Sequence, residues 1–245
     1  MTDGLLLVHA FPLDARMWEP QLTTFADALP VVAPHLPGFG GSPAAGEAMT
    51  MDAAAGRCLQ ALDEAGVDRA VVCGLSMGGY ASLALIALAP QRVIGLALAN
   101  TRAEADAPEG VAGRRALAQR LGAEGSAFLV AEPPPLLSDR APQALQERVR
   151  RLIADQTPQA IAAAALGMAE RPDRSEELGA IGVPTLVITS DGDRLIPAAV
   201  SAPMAEAIPG AELLTIAGAG HLSNLEAPGD FDEGLRGLLA RSGLA

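Results

Sequence analysis

At 245 residues, half of them hydrophobic and only 3% aromatic, the chain suits one α/β domain with a sizeable core of Ala, Leu, Val and Ile. A formal net charge of -12 argues against tracking nucleic-acid phosphates and against docking on an anionic membrane, so neither is expected as a partner. All 17 basic residues are arginine, which excludes a phosphate-loop lysine, a pyridoxal Schiff base and any lysine nucleophile.

Leu5 to Val8 is a continuous apolar run, as expected of a strand covered on both faces. It ends in the sharp break His9-Ala10-Phe11-Pro12. Leu29 to Pro34 reads as the next strand and runs into the rigid loop Leu36-Pro37-Gly38-Phe39-Gly40-Gly41-Ser42. Met51 to Ala65 is helical by composition, with Gly66 as its stop. Ala70 to Cys73 is again a buried strand; Gly74-Leu75-Ser76-Met77-Gly78-Gly79 follows, and Ala81 to Ala89 reads as a helix closed by Pro90. Val93 to Ala99 is a further strand, and the strand–helix–strand rhythm points to parallel pairing through right-handed crossovers. From 104 to 177 no strand is predicted. The block is arginine-rich and helical, interrupted at Glu132-Pro133-Pro134-Pro135 and including an apolar helix from Ile161 to Met168. Its position between two strands suggests a cap over the sheet edge. Strands resume at Val183–Thr189 and Leu213–Ile216, and the chain closes on an amphipathic helix over Phe231 to Ala240. Cys58 and Cys73 fall in a predicted helix and strand and are expected to be reduced and buried. The first residues lack the character of a secretion signal and no run reaches the length of a membrane span, so a soluble, cytoplasmic protein is expected.

A strand that becomes a helix at a single serine must strain that residue's backbone and needs small neighbours two positions away, as Gly74 and Gly78 are. The hydroxyl of Ser76 is then presented at the C-terminal edge of the sheet, above helix N-terminal N–H groups that favour developing negative charge. The glycine spacing fits neither a dinucleotide nor a triphosphate loop. Serine needs a base. Of three histidines, His221 leaves the last strand in a glycine-flanked loop, His9 precedes a tight turn and His35 lies in the Pro/Gly loop. An orienting carboxylate could come from Asp193, just past a strand end, or from its neighbour Asp191.

In order along the chain, Gly74-Leu75-Ser76-Met77-Gly78-Gly79, Asp193 with its trailing Pro197, and Gly220-His221 resemble the Ser, Asp, His sequence of an α/β-hydrolase of the single-domain, capped kind. His9-Ala10-Phe11-Pro12 resembles that family's His-Gly-x-Pro turn, and the loop from Leu36 to Ser42 its Pro-Gly-x-Gly-x-Ser loop. The resemblance implies an α/β-hydrolase fold over residues 1–245, with a mostly parallel central sheet, helices on both faces and an inserted helical cap at 104–177. It also implies Ser76 as nucleophile, His221 as general base and then acid, Asp193 as orienting carboxylate, and the backbone N–H groups of Phe11 and Met77 as oxyanion hole. His9 would be structural, and Tyr80 and Trp18 packing. Two positions depart from the pattern: Ala10 replaces a usual glycine, which is tolerable only at negative φ, and His35 replaces a common aspartate.

The function implied is hydrolysis of a small-molecule carboxylic ester, thioester or lactone through an acyl-enzyme, with no cofactor and no metal. Two other readings are a ligand-binding receptor on a hydrolase scaffold, and a perhydrolase or lyase using the same residues. Arginines of the cap could receive an acidic substrate or pair with neighbouring carboxylates.

Overall fold

The computed structural model describes residues 1–244. Its frame is one six-stranded sheet: β1 (Asp3–Val8), β2 (Val31–Val32), β3 (Arg69–Leu75), β4 (Val93–Ala99), β5 (Thr185–Ser190) and β6 (Glu212–Ile216). The spatial order is β2-β1-β3-β4-β5-β6, and every neighbouring pair is parallel. The mostly parallel sheet expected from the sequence is therefore parallel throughout. Leu5, Leu6, Leu7 and Val8 are all fully buried. Successive strand residues point to opposite faces, so both faces of β1 are covered.

The chain steps from β1 outward to β2, then returns to the other side of β1 for β3 and runs on to β6. The strand order thus reverses between β1 and β3, the position at which open parallel sheets generally bind their ligands. The turn after β1 and the serine after β3 both lie there.

Helices α1 (Glu19–Phe25), α2 (Met51–Glu64) and α3 (Met77–Leu88) precede β4. An insert of four helices then separates β4 from β5: α4 (Pro108–Glu124), α5 (Ala127–Ala131), α6 (Gln143–Ala154) and α7 (Pro158–Ala169). Beyond β5 come the short α8 (Ala198–Ser201) and α9 (Pro203–Ala207). After β6 follow α10 (Ser223–Glu226) and α11 (Pro228–Arg241). Helices α2 and α3 pack together over the middle strands, and α11 lies across β4, β5 and β6 against α1. Trp18 and Phe231 meet with ring centroids 5.9 Å apart in the core beneath α11.

Strand β2 and helix α1 differ from expectation, and the short helices α8, α9 and α10 lie where no helix is predicted. Strand β2 is two residues long rather than the six from Leu29 to Pro34, because the flanking Pro30 and Pro34 have no N–H for a ladder bond. Helix α1 occupies a stretch for which no helix was predicted. Pro20 sits in its first turn, where its missing N–H costs nothing, and the weak helix formers Thr23 and Thr24 hid the pattern.

The insert rests on loops that leave the C-terminal ends of the strands. Gln156 donates to Asp14 after β1 (2.7 Å) and accepts from the Gly40 N–H after β2 (3.1 Å). The Met49 N–H donates to Ala163 O at 2.9 Å, and the Leu222 N–H, in the loop after β6, to Leu136 O at 2.9 Å. Entry and exit of the insert are stapled together: Arg174 N–H donates to Ala103 O (3.0 Å), and the buried Asp106 carboxylate accepts from Arg102, Arg114 and Arg171. Arg120 and Arg148 pair with Glu124 and Glu19, so these arginines have carboxylate partners within the chain.

Candidate active site

Strand β3 ends at Leu75 and α3 begins at Met77, leaving Ser76 alone to turn the chain, with φ 57° and ψ −114°. The turn is tight enough that a Cβ on Gly74 would overlap the Gly78 carbonyl and Ser82 Oγ, and one on Gly78 would overlap the Val8 carbonyl. The small residues on either side of the serine are therefore steric requirements, one set by the elbow itself and one by the end of β1. The Ser76 N–H donates to Ala99 O (2.9 Å), and Ser76 O accepts from Thr101 Oγ1 (2.8 Å) and the Gly79 N–H (2.9 Å). The elbow is tied in this way to the end of β4.

His221 and Asp193 come together: the ring Nδ1 lies 2.8 Å from Asp193 Oδ2, with both side chains buried. Asp193 Oδ1 accepts from the N–H groups of Leu195 (2.8 Å) and Ile196 (2.9 Å). Burial opposes the carboxylate's charge, but hydrogen bonding from His221, attraction to that ring, and bonds from Ile196 and Asn100 outweigh it and hold the carboxyl below its ordinary value. Asp191, the competitor in the sequence, is exposed and accepts from the Gly218 N–H (2.6 Å), with no bond to His221.

Asn100 was not singled out from the sequence. It is fully buried at the end of β4, with φ 45°. Its Nδ2 donates to Asp193 Oδ2 (3.0 Å) and Ser190 Oγ (2.7 Å), and its Oδ1 accepts from Ser223 Oγ (2.6 Å). Its only mark in the sequence is that it directly follows the strand predicted over Val93 to Ala99. Asn is among the few residues with a side chain that enter the left-handed region readily. A chain of bonds now runs from the Ser76 backbone through the end of β4 to Asn100, Asp193 and His221. Ser76 Oγ itself makes no hydrogen bond among the described residues, to His221 or to any other group.

Around the β1 turn, His9 Nε2 accepts from the Leu36 N–H (3.0 Å), so its other nitrogen carries the proton and donates to Ala10 O (3.1 Å). The ring is fully buried, and burial lowers its pKa to about 4. His9 thus joins the loops after β1 and β2 as a neutral strut. His35 braces the same pair of loops, Nδ1 accepting from the Ala15 N–H (3.3 Å) while its ring fills the space beside Gly40. Ala10 is not among the residues at positive φ, so the condition attached to its side chain is met. Among the described hydrogen bonds, none is donated by the Phe11 or Met77 N–H, and Met77, as the first residue of α3, has no acceptor within its helix. Trp18 and Tyr80 are buried, the latter under the Arg171 guanidinium at 4.1 Å. Cys58 and Cys73 are free and buried, and burial pushes the Cys58 thiol up to about 12.

Among the described residues no three His, Cys, Asp or Glu side chains converge as a metal ion requires, and no helix is long and apolar enough to cross a membrane. The arrangement places a strained serine, a carboxylate-oriented imidazole and two unclaimed backbone N–H groups on one sheet edge.

Known proteins share this architecture. A thermophilic esterase from Thermogutta terrifontis superposes with a TM-score of 0.92 at 38% identity, covering 99% of this chain and 92% of that one. The enol-lactonase from Burkholderia xenovorans gives 0.88 at 26% identity over 98% and 92%. The dihydrolipoyllysine-residue acetyltransferase component of the acetoin cleaving system of Cupriavidus necator is 33% identical over 94% of this chain, which spans 62% of that protein's length. The model of the alpha/beta hydrolase family matches residues 5–233. The chain is a member of the alpha/beta hydrolase family.

Proposed function

We propose that this protein is a serine hydrolase that cleaves a carboxylic ester, thioester or lactone through an acyl-enzyme. The observation that carries this reading is the buried Asp193–His221 pair, 2.8 Å apart, hung from the same strand end that anchors the Ser76 elbow. Asp193 holds the proton of His221 on Nδ1, which leaves Nε2 free to accept. Ser76 Oγ attacks the acyl carbon as its proton passes to that nitrogen, and the carbonyl oxygen becomes an oxyanion facing the N–H groups of Phe11 and Met77. Collapse breaks the bond to the leaving alcohol, thiol or lactone oxygen, which takes the proton from His221. A water, deprotonated by the same ring, then releases the acid and restores the serine. The insert from 104 to 177 acts as a lid, closing the serine's surroundings and shaping the acyl pocket. The similarity to an esterase and to an enol-lactonase supports the substrate class.

The free Ser76 Oγ also fits a second reading, a ligand receptor with little turnover, although hydrogen bonds at catalytic serines often tighten only with substrate bound. Hydrolysis of p-nitrophenyl acyl esters and simple lactones separates the two. The hydrolase turns over at least one of them, and Ser76→Ala lowers that rate by about a millionfold. Binding without turnover in the parent establishes the receptor.

A further inference from the structure

His221 is held by more than its carboxylate. The backbone on either side of it is bonded to partners outside its own loop. Glu226, at the end of α10, reaches back so that Oε1 accepts from the Gly220 N–H (2.8 Å). The same oxygen accepts from the Ser138 N–H (3.0 Å), and Oε2 accepts from that N–H (3.1 Å) and from Ser138 Oγ (2.5 Å). One residue beyond the histidine, the Leu222 N–H donates to Leu136 O (2.9 Å). Leu136 and Ser138 belong to the non-helical strap between α5 and α6 of the insert. The fit is close: a Cβ on Gly220 would lie 2.6 Å from the Leu137 carbonyl carbon and 2.7 Å from Glu226 Oε1. Residue 220 is thus glycine because strap and carboxylate press on it together.

We propose that Glu226 is a positioning residue for the general base, its carboxylate clamping the backbone before His221 to the Leu136–Ser138 strap so that the insert holds the imidazole in register with Ser76. This rests on the reading of His221 as base. One half-buried carboxylate collects the hydrogen bonds of two chain segments 82 residues apart, Ser138 and Gly220, and bonds to a charged acceptor are the stronger kind. Displacement of the strap would withdraw two donors from Glu226 and release the loop, so closure of the insert and placement of the base become one event.

The test uses the full chain and the rate of covalent labelling by a fluorophosphonate, with turnover of an ester substrate alongside. Glu226→Ala is expected to slow labelling and kcat by about a hundredfold, the usual consequence of a misplacement near 1 Å, with KM within about threefold of the parent. Glu226→Gln keeps an oxygen for the Gly220 and Ser138 N–H groups and turns its NH2 toward the Ser138 hydroxyl, which can accept, but it loses the negative charge and the second acceptor for the Ser138 N–H. It is expected to lose about tenfold and carries the test if the alanine variant does not fold. Ser138→Ala should lose less on its own and add almost nothing in the Glu226→Ala background, since both changes break one clamp. A purely structural role has a different signature: the labelling rate constant stays at the parent's value while the fraction of molecules that can be labelled falls. That signature, or rates within threefold of the parent for Glu226→Gln and Ser138→Ala, overturns the proposal. A parent that takes no label at Ser76 removes the general-base reading itself, and the clamp with it.

Discussion

Asp193→Asn offers a sharp test of how the carboxylate works, because its four hydrogen bonds dictate how the new amide must turn. Oδ1 faces two backbone N–H groups, those of Leu195 and Ile196, whereas Oδ2 faces His221 Nδ1 and Asn100 Nδ2. Backbone donors cannot become acceptors, so the amide oxygen takes the Oδ1 place and its NH2 points at His221. The imidazole must then accept at Nδ1 and carry its proton on Nε2, where it cannot receive one from serine. The wrong tautomer, in otherwise intact geometry, is expected to reduce kcat by about ten-thousandfold. Asp191→Asn keeps an acceptor for the Gly218 N–H and touches nothing in the site, so its kcat should stay within about threefold. The assay is steady-state hydrolysis of a p-nitrophenyl ester, with thermal melts to show both variants folded. An Asp193→Asn enzyme within tenfold of the parent, or a larger loss in Asp191→Asn, refutes the reasoning.

His9 sets a pH dependence of stability whose sign follows from its burial. Its pKa falls from 6.5 in the unfolded chain to about 4 in the fold, so between those values the unfolded state binds more protons and stability declines as pH falls. The decline amounts to roughly 3 kcal/mol across that window, complete near pH 4. Asp106 and Asp193, held below the ordinary carboxylate value, add their losses at lower pH as they protonate. Urea unfolding at pH 7 and at pH 4.5 should show the drop in the parent and a shallower one in His9→Gln; parallel slopes would falsify the assignment. Gly78→Ala forces a Cβ against the Val8 carbonyl. It should destabilise the protein by about 1–3 kcal/mol, lowering Tm by several degrees, and a Tm equal to the parent's contradicts that crowding.

Ser76, Asp193 and His221 could be picked out as candidates because each obeys a local rule. Ser76 sits between glycines that a strand-to-helix turn demands, and Asp193 and His221 follow apolar runs that end as strands. Those rules act over a few residues and leave a trace in the chain. Asn100 leaves almost none: an asparagine after a strand is ordinary, and its importance arises only when β5 and α10 bring Asp193, Ser190 and Ser223 around it. The strap contact is hidden for the same reason, since Ser138 and Glu226 are joined only by tertiary structure. The insert could be read as a helical block between two strands, but an Ala-rich helix such as α7 carries little directional pattern, and its packing on Met49 and on α4 depends on shape. His35 was an unexplained departure in the sequence and becomes an acceptor for the Ala15 N–H in the fold.

The most direct measurement is the site of covalent capture. Treated with a fluorophosphonate and digested, the protein should yield one modified peptide with the adduct on Ser76, and Asp193→Asn and His221→Ala should label far more slowly. An unmodified Ser76, or an adduct on another residue at equal rate in the His221→Ala variant, would show that this oxygen is not activated by that imidazole.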